Sequence, residues 1–486
     1  MPSASGLEFL PPRLDARVLA VARRLLPLWL RSHGLRRLEV EGLARLQEAM
    51  DDFQGGRCRL LLAFRHPSLD DPAVMAHLLW RDLARAGRPR YSTGGGSRSG
   101  RRGRRFRPHP HAQFLYDRGI PLWAGTRIGW LLTHLGGCSI QRGGLDLPAL
   151  RTARALLLDG PHPFAVAPEG ATNGHNEVVS PLEPGVAQLA LWTADDLAKA
   201  GRPEATLILP VGLQYSFLGP AWPAIEALLG QLEAEAGLAS DANRSLQPEQ
   251  LYGRLLRLAE RILERMEHYY QRLHPQPPGA PSTAAAHGTP AVDGDDLSER
   301  LERLLETALG MAERDLAVEA HGDRGERCRR LEQAGWERLY PSRGALFDPG
   351  GNGAASPLER SLAERLALET ERSLWHMRLA ESFVAVSGRY VRDQPSQERF
   401  ADTLLILWDT LCRIRGRPIG PRPLLGPRRA LIRIGDPLAV ADRLASYRAD
   451  RRGAVASLTA ELQQRLEGLI VPSGQAGPET GTRAWS

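Results

Sequence analysis

CRLLLAFRHPSLDDPAV, residues 58–74, is the stretch on which the reading of this chain turns. Its first seven residues are a compact apolar run of buried-strand length, too short for a helix. From residue 71, DPAVMAHLLWRDLARAG carries apolar positions at helical spacing, an acid in the first turn and glycine beyond the end. Between the two lies RHPSLDD, where His66 precedes Asp71 by five positions. A strand running through such a turn into a helix sets the turn at a sheet's carboxyl edge. Functional groups of α/β folds gather there.

The alternation continues on both sides. EVEG (39–42), CSIQR (138–142), PFAVAPEG (163–170) and ATLILPVGLQY (205–215) are strand candidates, the third leaving into a loop. Residues 122–135, LPALRTARALLLDG (147–160) and GVAQLALWTADDLAKAG (185–201) have helical patterns, the last two ending in glycine. Strands alternating with helices predict an α/β fold, a largely parallel sheet flanked by helices. Beyond residue 215 the pattern becomes helical. Leu251, Leu255, Leu258, Ile262, Met266 and Tyr269 share one face of a long amphipathic segment. Residues 274–297 are rich in Pro, Ala and Gly and read as a flexible linker. RALIRIGDPLAV (429–440) and AVASLTAELQQRLEGLIV (454–471) restore a strand and a helix near the end.

The expected division is an N-terminal amphipathic segment (1–37), then the first part of an α/β domain (38–215) holding a Gly/Arg-rich loop (88–110). A mostly α-helical insertion (216–427) contains the linker. A closing strand and helix (428–471) and a disordered tail (472–486) follow. The chain has 486 residues, 42% of them hydrophobic and 24% charged, as in ordinary globular proteins. The net charge of +7 is local: RPRYSTGGGSRSGRRGRRFR (88–107) holds eight arginines and no acid. Cys58, Cys138, Cys328 and Cys412 form no C-x-x-C pair, which argues against a zinc site or disulfide framework and suits a reducing compartment. The opening MPSASGLEFLPP lacks a charged start and apolar core, so no signal peptide is expected. No apolar run reaches about 18 residues, so no transmembrane helix is expected. Residues 14–37, LDARVLAVARRLLPLWLRSHGLRR, fit either a helix packed on its own domain or a basic amphipathic helix in a membrane interface. Pro27 would kink or divide it.

Histidine takes a proton near neutral pH, and a carboxylate on its other ring nitrogen fixes tautomer and basicity. No G-x-S-x-G nucleophile accompanies His66 and Asp71. A dyad of this kind fits direct acyl transfer, in which an activated alcohol attacks a thioester. Arg142 ends GGCSIQR beside glycines that let a ligand approach, and its fork suits a phosphate or carboxylate. Glu169 and Gly170 follow a strand in PEGATN. Pro210 lies within LILPVGLQ, where a missing N–H suggests an edge strand or strand end.

In this order, RHPSLDD, GGCSIQR, PEGATN and LILPVGLQ resemble the four blocks of the glycerolipid acyltransferase family, that of lysophosphatidate acyltransferases. The resemblance covers about residues 35–215 and 428–471. It implies His66 as general base on the hydroxyl of the alcohol and Asp71 as the residue that orients and charges it. Arg142 would bind the phosphate of that alcohol, Glu169, Gly170 and Thr172 would shape its site, and Pro210 would support the acyl pocket. The implied reaction moves a fatty acyl group to 1-acyl-glycerol 3-phosphate, giving phosphatidate. Acyl-CoA or acyl-carrier protein would be co-substrate, with no bound cofactor and no metal. The implied setting is the cytoplasmic face of an anionic membrane, with peripheral attachment.

Three positions depart from the family pattern. Arg65 replaces the asparagine before the histidine, Ser139 replaces an aromatic, and Thr172 stands where the third block has arginine. The last removes a phosphate contact worth about 1.5–3 kcal/mol, which opens lysophospholipid, glycerol 3-phosphate or a neutral alcohol as alternatives. A second reading is a degenerate acyltransferase fold serving as a lipid-binding or scaffolding protein. The arginine-rich tract offers only Tyr91 and Phe106 for base stacking, so no specific nucleic-acid partner is expected. His109 and His111 beside prolines read as a loop, and Trp408 as a packed residue.

Overall fold

The computed structural model describes residues 9–86, 110–141, 146–239, 247–273, 294–339, 356–382, 389–417 and 422–473. Nearly all of the Gly/Arg tract, Arg142, most of the 274–297 linker and most of the tail lie outside the described residues.

The strands are β1 (Leu35–Glu41), β2 (Cys58–Phe64), β3 (Gln113–Asp117), β4 (Gly137–Ile140), β5 (Phe164–Val166), β6 (Ala205–Phe217), β7 (Arg428–Ile434) and β8 (Leu438–Ala439). They form one sheet in the order β1-β7-β6-β2-β5-β3-β4, with β8 beside β6. β6, β2, β5, β3 and β4 run parallel, while β7 and β8 pair antiparallel to β6. The protein is thus α/β, with a mostly parallel sheet flanked by helices. β1 is longer than EVEG because six of its residues pair with β7. The expected closing strand is instead β7 and β8, separated by a bend at residues 435–437.

Helices cover both faces. On one lie α1 (Ala16–Ser32), α2 (Leu43–Gln54) and α3 (Asp71–His77), which continues through a π turn at Leu78–Leu83 into α4 (Ala84–Ala86). Then come α5 (Ile120–Ala124) and α6 (Thr126–His134), the expected single helix split at Gly125, whose φ is +92°. α7 (Leu147–Asp159) and α8 (Gly185–Lys199) pack on the opposite face. Leu60 and Leu62 of β2 face the first layer, and Leu61 and Ala63 the second. Burial on both faces explains the unbroken apolar run. Each buried leucine there contributes about 1.5–3 kcal/mol.

Between β6 and β7 run α9 (Trp222–Glu235), α10 (Pro248–Leu273), α11 (Gly294–Leu316), α12 (Arg324–Leu339), α13 (Pro357–Glu381), α14 (Tyr390–Asp393) and α15 (Gln397–Ile414). They enclose a core of their own, including Leu258, Leu305, Leu331, Leu374 and Phe400, against which Trp408 packs. Arg254 of α10, buried, binds Glu226 at 3.0 Å and Glu233 at 2.6 Å on α9. Phe217 and Arg428 are direct partners across β6 and β7, so this helical unit leaves and rejoins the sheet at one point. After β8 the chain forms α16 (Leu444–Ala449) and α17 (Arg451–Glu467), which pack with α8.

Two expectations need correction. α1 runs undivided through Pro27, with Asp15 capping its start through the Arg17 and Val18 amides. Pro210 lies neither on an edge strand nor at a strand end: β6 is interior, flanked by β2, β7 and β8. The Pro210 carbonyl accepts from Gly435 N at 2.9 Å, so the missing N–H points toward the same side. The bend between β7 and β8 interrupts the ladder there, and no donor is required of residue 210.

No helix among the described residues is long and apolar enough to cross a membrane.

Candidate active site

β2 and β5 are parallel neighbours, with Ala63 opposite Val166. Their carboxyl ends therefore deliver two loops side by side: RHPSLDD after β2 and APEGATN after β5. His66 lies two residues past β2, and Glu169 to Thr172 begin three residues past β5. β6, on the other flank of β2, extends beyond both and supplies Tyr215.

Asp71 opens α3 and is wholly buried. Its Oδ2 accepts from His66 Nδ1 at 2.9 Å and from Ser68 N at 2.8 Å, and its Oδ1 accepts from the Tyr215 hydroxyl. Burial pushes the carboxyl above the usual carboxylate range, opposed by the bonds from His66, Tyr215 and Ser68. The same burial, with the Asp71 charge, raises the Tyr215 hydroxyl well above its ordinary value and keeps it a donor. Donors surround Asp71, which assigns the proton of the imidazole to Nδ1 and leaves a lone pair on Nε2. The His66 side chain is 19% exposed. Thr172 Oγ1 donates to that lone pair at 3.0 Å.

The loop after β5 is fastened to the loop after β2. Glu169 Oε1 accepts from His66 N at 2.7 Å, and its Oε2 accepts from Asn173 Nδ2 at 2.8 Å and Ser180 N at 2.9 Å. Gly170 makes the turn between them with a φ of +72°. The left-handed backbone favours glycine there, and a Cβ would sit 2.1 Å from Glu183 Oε1 and displace that side chain. Asn173 N reaches back to the His66 carbonyl at 3.4 Å.

Arg65, the departure beside His66, is fully buried and serves as a clamp. Its guanidinium donates to the carbonyls of Asn176 (2.6 Å), Val178 (2.8 Å), His175 (3.1 Å) and Leu213 (3.2 Å). Asp70 is held by His33 at 2.9 Å and Arg428 at 2.7 Å, which ties the loop to the end of α1 and to β7. Leu69 at its tip is 63% exposed.

The insertion also reaches this site. Asp402 of α15 accepts from Asn176 N (2.9 Å), Asn176 Nδ2 (3.0 Å) and the Tyr390 hydroxyl (2.7 Å). Arg399 pairs with buried Glu177 at 2.8 Å.

His66, Asp71, Glu169, Gly170 and Thr172 thus converge. Pro210 lies deeper, opposite Ala63 in the sheet, and is not part of this hydrogen-bonded cluster. Arg142 lies outside the described residues; β4, which precedes it, ends on the same side of the sheet, three strands from β2. Sequence reasoning missed Tyr215 and the clamp of Arg65. The period-two alternation Leu209, Val211, Leu213, Tyr215 places Tyr215 on the face of β6 that α3 covers, and that signal was available. No group of His, Cys, Asp or Glu side chains among the described residues is arranged to hold a metal. His111 is occupied by the Leu135 carbonyl and Trp80.

The arrangement can polarise a hydroxyl: a carboxylate-backed imidazole holds an oxygen at Nε2 beside the carboxyl ends of β2 and β5. No protein family matches this chain, and no curated protein matches it.

Proposed function

We propose that the protein is an O-acyltransferase that moves a fatty acyl group from a thioester to the hydroxyl of a glycerolipid alcohol. The observation that carries this reading is the Asp71–His66–hydroxyl chain, with spacings of 2.9 and 3.0 Å, at the carboxyl ends of β2 and β5. Nε2 takes the proton of the attacking hydroxyl as its oxygen bonds to the thioester carbonyl carbon. The C–S bond breaks, and the proton passes to the departing sulfur. Asp71, whose basicity burial raises, stabilises the imidazolium formed in between.

The ordered blocks favour a glycerolipid acyltransferase-like fold and 1-acyl-glycerol 3-phosphate as the alcohol, with Arg142 on its phosphate. Acyl-CoA or acyl-carrier protein supplies the acyl group, and no metal or bound cofactor takes part. The exposed apolar side chains of α1 support peripheral attachment to a membrane surface, and the resemblance implies that this surface is anionic and cytoplasmic.

The test is transfer of radiolabelled palmitate from palmitoyl-CoA, and separately from palmitoyl-acyl-carrier protein. The panel holds lysophosphatidate, glycerol 3-phosphate, lysophosphatidylcholine and monoacylglycerol. Lysophosphatidate is expected to give product, and His66→Ala to lower the rate by about 10²–10⁴-fold. Product with another alcohol alone keeps the chemistry and moves the substrate. A folded protein that binds vesicles but transfers to none of them is a lipid-binding protein instead.

A further inference from the structure

We propose that Thr172 is the nucleophile of a two-step transfer, with an acyl-threonine ester between the steps. The proposal rests on the acyl-transfer reading above and changes which oxygen attacks first. The Nε2 lone pair of His66 has room for one donor, and Thr172 Oγ1 occupies it at 3.0 Å. An incoming alcohol that attacked directly would have to expel this hydroxyl. The surrounding bonds hold the backbone that presents it. The His66 backbone is tied to Glu169 through its N–H and to Asn173 through its carbonyl, so the segment holding Thr172 is fastened to His66 at both flanks. Asn173 is anchored again on Glu169 and on the Val178 carbonyl. Threonine is also stiff at χ1 because two heavy atoms share its Cβ. Aspartate, imidazole and hydroxyl are in the order and at the spacing that activate an oxygen nucleophile.

In the first step Thr172 Oγ1 bonds to the thioester carbonyl carbon and the C–S bond breaks. The threonine proton moves to Nε2 and then to the departing sulfur, releasing the thiol. In the second step the alcohol hydroxyl takes the place beside Nε2 that esterified Thr172 no longer fills as a donor. It gives its proton to Nε2 while its oxygen bonds to the ester carbonyl carbon. The bond to Oγ1 breaks, and Oγ1 recovers a proton from Nε2. No other reactant is needed.

The experiment incubates the full chain with palmitoyl-CoA and no alcohol, quenches with acid, and maps peptides by mass spectrometry. The wild type is expected to carry one palmitoyl group on the peptide containing Thr172. It should survive neutral hydroxylamine, as an oxygen ester does and a cysteine thioester does not. His66→Ala and Thr172→Val should carry none. Thr172→Val, which keeps the branched shape, should lose about 10³-fold or more of transfer, and Thr172→Ser should retain it. Transfer by Thr172→Val within tenfold of wild type overturns the proposal, whether or not an adduct forms, and leaves the acyltransferase reading standing. A wild-type protein that neither transfers nor releases CoA removes both.

Discussion

The guanidinium of Arg65 spans carbonyls 110 to 148 positions away in sequence, three from the loop that follows Thr172 and one from β6. An asparagine side chain cannot reach across that set. Arg65→Asn is expected to leave buried carbonyls without donors and to lower stability by about 3 kcal/mol or more, read by urea unfolding. The contrast with His66 is instructive about what single residues disclose. A histidine and an aspartate five apart, after an apolar run, declare themselves because their pairing is local. Arg65 and Tyr215 act through partners more than a hundred positions away, and neither residue type announces such a role. Thr172 was visible as a missing arginine, while its bond to Nε2 depends on how two parallel strands set their loops side by side.

Helix α15 meets the loop that follows Thr172 through Arg399 on Glu177 and through the buried carboxyl of Asp402 on Asn176. Burial pushes Asp402 up to about 6 from 3.8, against the opposing pull of the Asn176 amide and the Tyr390 hydroxyl. The folded protein therefore binds this proton more tightly than the unfolded chain does. Stability falls as pH rises from about 4 to about 6, and the loss of about 3 kcal/mol persists above that window. The stability difference between wild type and Asp402→Asn, followed by denaturant unfolding across pH 4 to 7, is expected to shrink by that amount. A flat difference would mean that Asp402 ionises as freely folded as unfolded. β2 and the first half of β6 were legible because both faces of each are buried and the apolar run is continuous. Pro210 was misplaced for a physical reason: a sequence shows the lost donor but not that the neighbouring ladder breaks beside it.

Across the molecule, α1 has two apolar faces. Leu19, Leu26 and Leu30 are buried, while Val21, Leu25 (55% exposed) and Leu28 (63% exposed) lie on the opposite side of the helix. His33 at its end holds Asp70, next to exposed Leu69, so this apolar face is joined to the loop that bears His66. The double variant Leu25→Glu, Leu28→Glu should bind phosphatidylglycerol-containing vesicles about tenfold or more weakly in flotation. Its melting temperature should stay unchanged, because neither side chain packs inside. The alternation of strands and helices made the α/β class readable, and the return of a strand near the end made the insertion readable. The docking of that insertion on the site was not readable, since Asp402 and Asn176 meet 226 positions apart. Its placement between Phe217 and Arg428, paired neighbours in the sheet, bears on how the chain assembles. Joining β6 to β7 through about 200 unfolded residues costs about 5 kcal/mol of loop-closure entropy. A helical unit that has already collapsed brings its two ends together and removes most of that barrier. Synthesis from the N-terminus completes the helices before β7 emerges, so the final antiparallel pair closes as a local hairpin rather than as a search through a long coil.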